Sequence, residues 1–419
     1  MNHLRATEQA ILTEGRQWTC RRLQEQLQRD ADALPALCPQ TGQPLKDTRW
    51  RPLQLETVAG VVQLRVRHGW SEALKRWVCP AREVWQLEPY QRISPELQAR
   101  LAYTATEVGS YERAARMAQT WGTPVSDGCI HHHIQRLGAA AETLDLPSPP
   151  PPAVCGQASE PEFSLVLQMD GWMARERGAD WGAGPRKKNP ERVAWHEIKS
   201  AVIYRLEQRV ETQSGRGLLL EKFIVATPPE TAPVDFGAAV TAEARRRGLG
   251  RAKFVYVVID GAVWLWDLVE DRFATAIKTL DFHHASEHLW AVAHALHGEG
   301  TPQARAWVEP LLHSLRHGQE ARVVRRLEQL RERASGRSGD AHALIKREVS
   351  YFQTHRDHLH YEAVAKEGAP IGSGAVESLC GQLQGRLRGR GQFWGRPGLT
   401  HLLRLTVLFR NHDDHHLWN

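Results

Sequence analysis

Two apolar runs in the C-terminal part of the chain stop at an aspartate. The run "FSLVLQMDGW" starts at Phe163 and reaches Asp170, and "KFVYVVIDGAVWLW" starts at Lys253 and reaches Asp260. Short continuous apolar runs rich in β-branched residues are typical of strands that are buried on both faces. Each run therefore predicts a buried strand that ends at a carboxylate, and the repetition predicts a shared site.

The pattern between and after the two runs predicts the other elements of this region. Residues 193–229 form two strands joined by a turn at Ser214–Gly217, and "DFGAAVTAEARRRGLG" has a helical period that Gly248 and Gly250 can end. A short strand near "AIKTLDF" and a helix over "HASEHLWAVAHALHG" follow. This order predicts an α/β, ribonuclease H-like fold, in which the first and fourth strands lie side by side.

The clearest boundary in the chain is the segment "LDLPSPPPPAVCGQASEPEF" at residues 144–163, whose prolines favour an extended, semi-rigid spacer. Before it, a turn at Ala59–Gly60 divides a β-ribbon. The predicted order is an N-terminal helical segment, the β-ribbon, a helical module, the Pro-rich linker and the α/β domain, at residues 1–37, 38–90, 91–145, 146–160 and 161–419.

Cysteines flank the predicted ribbon. Cys38 and Cys79 are each followed by Pro, which is the layout of a zinc ribbon with a CxxC pair at both ends. Tetrahedral zinc takes four ligands, and here Thr41 and Arg82 occupy the second positions. We therefore expect a degenerate zinc-ribbon-like module that folds without metal.

The helical module has the pattern of a helix-turn-helix. A helix that follows Ser94 is interrupted at Gly122–Pro124, and a second helix begins at Ser126. The second helix of such a motif can enter the major groove of DNA. The residues expected to contact DNA are His131, His132, His133, Gln135 and Arg136. An ordinary helical hairpin is the other interpretation of this pattern.

Composition and charge restrict the class of protein. The chain of 419 residues is 24% charged and 42% hydrophobic, and no apolar stretch approaches the roughly 18 residues of a membrane helix. The start has no apolar signal segment and the six cysteines are scattered, so we expect a cytoplasmic protein. The net charge of +6 is compatible with a polyanionic partner.

Two converging carboxylates repel each other unless a cation lies between them. Mg²⁺ and Mn²⁺ prefer oxygen ligands, and two such ions can assist both the attacking and the leaving oxygen in phosphoryl transfer. The candidate for a third acid is Glu377, because it follows the turn Gly372–Gly374 and lies in the first turn of a helix, where the helix dipole favours a negative charge.

The helix that carries Glu377 continues into a stretch rich in arginine, glycine and aromatic residues. A basic, aromatic segment of this kind can hold a phosphate backbone and stack on an unpaired base. The side chains expected to contact DNA there are Arg386, Arg388, Phe393 and Trp394.

Four segments in order resemble the catalytic signatures of bacterial insertion-sequence transposases of the DDE class, most closely the Kra-type insertion-sequence family. They are "MDGW", "VIDGAVWLW", "LDFHHASEHLW" and "GAPIGSGAVESLCGQL". The resemblance extends from about residue 160 to the end. It implies that Asp170, Asp260 and Glu377 form a catalytic triad that binds Mg²⁺ or Mn²⁺, as two ions. It also implies a helical insertion at about residues 296–366.

The resemblance also implies an activity and a partner. The protein would bind double-stranded DNA, both the terminal repeats of an element and the target. Water would attack a phosphodiester and release a 3′-hydroxyl, which then attacks the target strand. Pairing of two DNA ends leads us to expect a homodimer or a higher oligomer. No GxxxxGK[ST] segment is present, so ATP is not expected.

Two other functions share these features. One is a structure-specific DNA nuclease of the same fold, which would give no strand-transfer products. The other is a domesticated DNA-binding protein without catalysis, in which a change at Asp170 would have no phenotype. An aspartate followed by glycine is also a common turn sequence.

The histidines and tryptophans near the acids have simpler explanations than a metal site. His284 and His288 lie one helical turn apart, but the sequence HASEH lacks the second-position Glu of an HExxH zinc site. We expect His284 to support the acids or to contact DNA. We expect Trp172, Trp264 and Trp266 to pack around the site.

Overall fold

The structure is a computed structural model, and it describes residues 2–147, 162–182, 190–213, 217–334 and 339–418. The chain divides into two compact units, Met1–Ala140 together with Leu417–Asn419, and Ala141–His416. The predicted linker lies outside the described residues from position 148 onwards, and residues 214–216 of the predicted turn also lie outside them. None of the described helices is long and apolar enough to cross a membrane.

The first unit combines an antiparallel three-stranded sheet with helices. Its elements are α1 His3–Ala33, β1 Lys46–Thr57, β2 Gly60–Ser71, β3 Arg76–Val78, α2 Pro80–Val84, α3 Pro95–Glu107, α4 Tyr111–Thr120 and α5 Asp127–Glu142. β2 lies between β1 and β3. Helix α1 covers part of the open edge of β2, because Gln24 accepts from the Gln63 backbone N–H at 2.9 Å and Gln28 bonds the backbone of Arg65.

The ribbon has the hairpin that the sequence pattern predicts, but the helical module differs from the prediction. β1 and β2 meet at Thr57 and Gly60, and Gly60 adopts φ +129°. The prediction of a single helix before Gly122 is wrong, because two helices, α3 and α4, occupy that stretch. The side chain of Ser110 accepts from the Arg113 backbone N–H at 3.1 Å and so starts α4 as a separate helix.

The two positions where a zinc ribbon would have further cysteines form structural hydrogen bonds. Cys38 and Cys79 are both buried. The backbone N–H of Thr41 donates to the Cys38 carbonyl at 3.3 Å. The Arg82 guanidinium donates to the carbonyl of Gln91 at 3.1 Å, so this arginine closes the loop that follows α2.

The second unit is a mixed α/β structure. Its strands are β4 Ser164–Arg177, β5 Val193–Arg205, β6 Arg209–Glu211, β7 Gly217–Leu219, β8 Phe223–Ala226, β9 Phe254–Ile259 and β10 Ile277–Leu280. Its helices are α6 Pro233–Arg246, α7 Val263–Arg272, α8 Phe282–His297, α9 Pro302–Arg316, α10 Glu320–Ala334, α11 Asp340–Thr354, α12 Tyr361–Lys366, α13 Gly374–Leu387 and α14 Arg396–Arg410. Helices α9 to α12 occupy the range in which a helical insertion was expected.

Five strands form the central sheet of this unit in the order β10-β9-β4-β5-β8. β10, β9 and β4 are parallel, whereas β5 and β8 are antiparallel to their neighbours. The six residues of β4 from Ser164 to Met169 are all buried, as expected for a strand in a sheet with both faces covered. β4 and β9 are neighbours, as the sequence predicted for the first and fourth strands.

Two local predictions about the central sheet are wrong. β4 does not end at Asp170, because β5 continues the antiparallel pairing as far as Arg177 opposite Val193. β5 and β8 are not joined by one simple turn, because the short pair β6 and β7 lies between them as a separate two-stranded sheet. In both cases the strand boundaries are set by pairing with residues that are distant in the sequence, which a local pattern does not reveal.

Candidate active site

Asp170 and Asp260 lie at the same end of the parallel pair β4 and β9. The pairing of the two strands ends at Met169 opposite Ile259, and the next residue of each strand is the aspartate. Asp170 accepts from the Gly171 backbone N–H at 2.6 Å, and Asp260 accepts from the Ala262 backbone N–H at 2.9 Å. The sheet therefore brings together two half-buried acids that are far apart in the sequence.

The two aspartates influence each other electrostatically. Burial raises the pKa of Asp170, and the negative charge of Asp260 raises it further. The Gly171 N–H, the Cys380 thiol and the charge of His284 act in the opposite direction. Because like charges in a partly buried place repel, this end of the sheet would be stabilised by a cation.

Glu377 lies in the first turn of α13, a helix that packs against β4 and β5. Its carboxylate is exposed and accepts from the Ser373 hydroxyl. One helical turn later, the thiol of Cys380 donates to Asp170, and the charges of Asp170 and Glu377 both raise the pKa of this buried thiol. Helix α13 therefore brings Glu377 to the side of the sheet on which Asp170 lies.

Gln168 holds the start of α13 against β4, and sequence reasoning missed this residue. Its amide donates to the Gly372 carbonyl at 3.1 Å and accepts from the backbone N–H groups of Ala375 and Val376 at 3.0 and 3.2 Å. These N–H groups belong to the first turn of the helix and need an acceptor. The sequence did contain a signal for this role, namely a glutamine inside a buried apolar run. A buried side-chain amide needs hydrogen-bond partners, so Gln168 was a candidate for a structural contact.

Asp281 is the second residue that sequence reasoning missed. It follows β10, is fully buried, and accepts from the backbone N–H groups of His284 and Ser373. Burial raises its pKa, but the hydrogen bonds from His284 and Ser373 prevail and hold that pKa well below the usual range. Asp281 therefore joins the start of α8 to the loop before Glu377.

His284 lies beside the buried carboxylate of Asp281. The interaction with Asp281 raises the pKa of His284 to about 9 against the effect of burial, and the charges of Asp260 and Glu287 add to this rise. The ring Nδ1 lies 3.7 Å from the Asp281 carboxylate. A fixed cation thus lies near the acids, which is compatible with the supporting role predicted for His284.

The predicted packing tryptophans lie around the site. The buried Trp172 indole donates to the Ser200 hydroxyl at 3.1 Å. Ser200 also forms a side-chain hydrogen bond with Cys380, the residue whose thiol donates to Asp170. Trp264 packs edge-on against Phe236 with ring centroids 6.0 Å apart. Trp266 is stacked on a histidine of the segment after α11, and its ring is buried.

Helix α11 contributes a tyrosine beside Asp260. A Cβ at Gly261 would lie 2.4 Å from the ring of Tyr351, so only glycine leaves room for this ring. Tyr351 stacks on His288, with ring centroids 3.7 Å apart, and His288 contacts the carboxylate of Glu348. Burial raises the pKa of Tyr351, and the negative charges of Asp260 and Asp281 raise it further.

The three acids suit a hard divalent cation in donor type and in charge. Mg²⁺ and Mn²⁺ prefer carboxylate oxygens, and burial together with the nearby charge of Asp260 raises the pKa of Asp170. Within the described ranges, no three His, Cys, Asp or Glu side chains are close enough to act together as ligands of one ion. Asp170 and Asp260 are neighbours at one end of the sheet, and Glu377 lies on the helix that packs against β4.

The residues predicted to contact DNA from α5 do not share one face. His132 is exposed, whereas His133 is only 7% exposed and its Nδ1 lies 3.0 Å from the side-chain nitrogen of Gln98. Burial lowers the pKa of His133 to about 4. Gln135 and Arg136 are half-buried. Successive helix residues point in different directions, so the prediction that His133 faces DNA is corrected.

The basic segment after Glu377 is also partly internal. Arg386 is only 4% exposed, with its guanidinium carbon 5.6 Å from the ring centre of Trp394. The Trp394 indole donates to the Leu387 carbonyl at 2.6 Å and so closes the end of α13. Arg388 is exposed, with its guanidinium carbon 4.9 Å from the ring centre of Trp195. Arg386 and Trp394 are therefore packing residues, in contrast to the prediction, and Arg388 remains a candidate for DNA contact.

The sequence matches no protein-family model and no curated protein. Among solved structures, the chain is similar to the Drosophila P element transposase strand transfer complex. The two chains are 10% identical, the likeness covers 76% of this chain and 92% of the other, and the TM-score is 0.38. A likeness at this level identifies neither a family nor an activity, so a functional conclusion has to rest on the residues themselves.

Proposed function

We propose that the protein is a DDE-class transposase, related to the Kra-type insertion-sequence family, which cuts and joins DNA strands at the ends of a mobile element. The observation that carries the proposal is the position of Asp170 and Asp260 at one end of adjacent parallel strands. Glu377 is attached to the same strand through the anchored helix α13. These contacts support a site that would draw on acids from three separate segments.

The arrangement of the strands supports a ribonuclease H-like catalytic domain. β4, β5 and β8 are consecutive antiparallel neighbours, α6 follows them, and β9 returns beside β4 in the parallel direction. In such a fold, acids that follow the first and fourth strands meet at the edge of the sheet. The third acid comes from a later helix that packs across the sheet, as α13 does here.

The chain's own residues would position the reacting groups. Asp170, Asp260 and Glu377 would hold Mg²⁺ or Mn²⁺ ions, which when bound assist the attacking oxygen and stabilise the leaving oxygen of a phosphodiester. Gln168 and Asp281 keep α13 in place, so Glu377 stays on the side of Asp170. The reaction would release a 3′-hydroxyl by hydrolysis, and this hydroxyl would then attack the target strand.

His284 would contribute charge rather than a bond to the metal. With its pKa raised to about 9, the imidazolium remains charged near Asp260 and favours the ionised form of the nearby acids. It is also available to attract a DNA phosphate. Double-stranded DNA is the proposed partner, and pairing of two DNA ends would require a homodimer or a larger assembly.

Metal-dependent cleavage of a labelled duplex that carries the element's own end tests this function. Asp260→Asn should reduce cleavage at least about 10³-fold, equivalent to about 4 kcal/mol of barrier, at equal DNA occupancy. Asp267→Asn is the matched control, because Asp267 is exposed on α7 and lies outside the three acids. Cleavage by Asp260→Asn at the wild-type rate would overturn the proposal.

The products of the same assay separate the alternatives. A transposase joins the released 3′-hydroxyl to a second duplex, whereas a structure-specific nuclease of the same fold only hydrolyses its substrate. A domesticated DNA-binding protein would bind the duplex tightly, and neither wild type nor Asp260→Asn would cleave it.

A further inference from the structure

The start of strand β1 in the first unit is exposed on both of its faces. The first seven residues of β1, Lys46–Pro52, are all exposed, whereas Leu53 and Leu55 further along the strand are buried in the cluster that contains α1. A strand in a packed sheet usually alternates between a covered and a solvated face. This stretch of β1 is therefore a solvent-exposed, projecting end of the strand.

Arginine and tryptophan side chains are interleaved on this projecting end. The guanidinium carbon of Arg49 lies 4.1 Å from the ring centre of Trp77, and that of Arg51 lies 6.0 Å from the same ring. Across the strand pair, Arg67 lies 5.1 Å from the ring centre of Trp50. The rings of Trp50 and Trp77 are 42% and 41% exposed. We call these five residues the basic end.

The basic end carries positive charge that no carboxylate neutralises. Arg49, Arg51 and Arg67 form no ion pair with any residue that the structure describes. Three exposed arginines on the helices of the same unit do form such pairs, namely Arg22 with Glu25, Arg100 with Glu96 and Arg116 with Glu112. Burial and the charges of Arg51, Arg82 and Arg49 lower the pKa of His68, which is compatible with a positive potential here.

Successive residues of a strand point to opposite faces, so Trp50 lies on one face of β1 while Arg49 and Arg51 lie on the other. The cross-strand partner of Trp50 is Arg67, which places a guanidinium on that face as well. A polyanion on either side of the ribbon would therefore meet an arginine. The stacking on tryptophan restrains each guanidinium while it leaves the N–H groups available.

We propose that the basic end binds double-stranded DNA, with the arginines on the phosphates of the backbone. Arginine contacts to phosphates position a protein on the duplex, and guanidinium groups on both faces of β1 and β2 would reach phosphates on either side of the sheet. This inference rests on the proposed function, because it takes DNA as the substrate. It assigns duplex binding to the ribbon, whereas the sequence pattern had assigned it to α5, whose candidate residues are partly buried.

The test measures binding of the full chain to a fluorescein-labelled duplex of mixed sequence by anisotropy at several salt concentrations. The variant Arg49→Gln/Arg51→Gln/Arg67→Gln should bind at least about tenfold more weakly, with a salt slope lower by about 2 to 3, because each lost phosphate contact contributes about 0.9. The corresponding triple lysine variant keeps the charge and should keep the slope.

The matched control is Arg22→Gln/Arg100→Gln/Arg116→Gln, which removes the same charge from ion-paired arginines of the same unit. Its salt slope should change by less than about 1. A wild-type slope in the basic-end variant, or an equal loss in the control, would overturn the inference. Binding loss in the basic-end variant together with full cleavage by Asp260→Asn would instead overturn only the proposed function.

Discussion

The proposed carboxylate site of Asp170, Asp260 and Glu377 and the basic end both carry charge of one sign, but the charged side chains are held differently in the two regions. The acids accept hydrogen bonds from nearby N–H and O–H groups. The buried side chains of Gln168 and Asp281 also hold the start of α13, the helix that carries Glu377. The arginines of the basic end lie on exposed rings without carboxylate partners among the described residues. Side chains that are held in place by hydrogen bonds are suited to catalysis, which needs fixed positions. Exposed arginines without carboxylate partners are suited to binding a phosphate backbone.

Loss of the buried support should have the largest effect on stability. Asp281→Asn should lower the free energy of unfolding by about 2 to 4 kcal/mol, because an amide nitrogen would face the N–H groups of His284 or Ser373. Urea denaturation followed by circular dichroism measures this change. A loss below about 0.5 kcal/mol would show that Asp281 does not brace the site.

The contact between α11 and the site should have the next largest effect. Gly261→Ala places a Cβ against the Tyr351 ring, and such overpacking costs about 1 to 3 kcal/mol. Tyr351→Ala in the same chain removes the obstacle, so a double-mutant cycle should show a clear coupling between the two positions. Additive effects of the two changes would mean that the ring does not restrict Gly261.

The histidines of the two regions should titrate on opposite sides of the ordinary value of about 6.5. His284 should titrate near pH 9 because of Asp281, whereas burial and the nearby arginines should keep the pKa of His68 lower than usual. NMR titration of both rings tests this, and Asp281→Asn should bring the pKa of His284 down. Similar pKa values for both rings in the wild type would contradict the contrast.

The raised pKa of His284 also predicts how stability depends on pH. Since the folded pKa lies above the unfolded one, the stabilisation is complete below about pH 6.5 and is lost as the pH rises through about 9. The side chain is 39% exposed, so solvent screening reduces the contribution to about 1 kcal/mol. Denaturation of His284→Gln should lack this alkaline loss.

Removal of the exposed arginines should have the smallest effect on stability. Arg49→Gln/Arg51→Gln/Arg67→Gln should change the free energy of unfolding by less than about 0.5 kcal/mol per residue, because Arg49 and Arg51 are exposed, Arg67 is half-buried, and all three lie against partly exposed rings. Urea denaturation followed by circular dichroism measures this change in the free energy of unfolding. A loss as large as that of Asp281→Asn would mean that the arginines serve the fold rather than a partner.

The neighbouring strands β4 and β9 could be predicted because their signal is local, a continuous apolar run that ends near an aspartate. The position of Asp170 inside β4 could not, because it depends on pairing with β5. The anchoring roles of Gln168 and Asp281 were missed for a similar reason. Their partners lie in the loop and first turn around Ser373, which no local pattern connects to either residue.

Residue type alone also misjudged exposure. His133 and Arg386 were expected to face DNA, since histidine and arginine are usually exposed, but Gln98 and Trp394 enclose them. The basic end shows the reverse. Its tryptophans are residues that usually pack, yet the rings of Trp50 and Trp77 are 42% and 41% exposed. Such exposure depends on which neighbouring elements cover the sheet, and no local pattern in the sequence shows it.

The central claim is that Asp170, Asp260 and Glu377 each take part in holding divalent cations, and the most direct test is a Mn²⁺ titration followed through the EPR signal of the free ion. The account predicts that the wild type removes Mn²⁺ from solution. Asp170→Asn, Asp260→Asn and Glu377→Gln should each weaken this binding at least about tenfold, whereas Asp267→Asn should not. Equal binding by the wild type and all four variants would contradict the account.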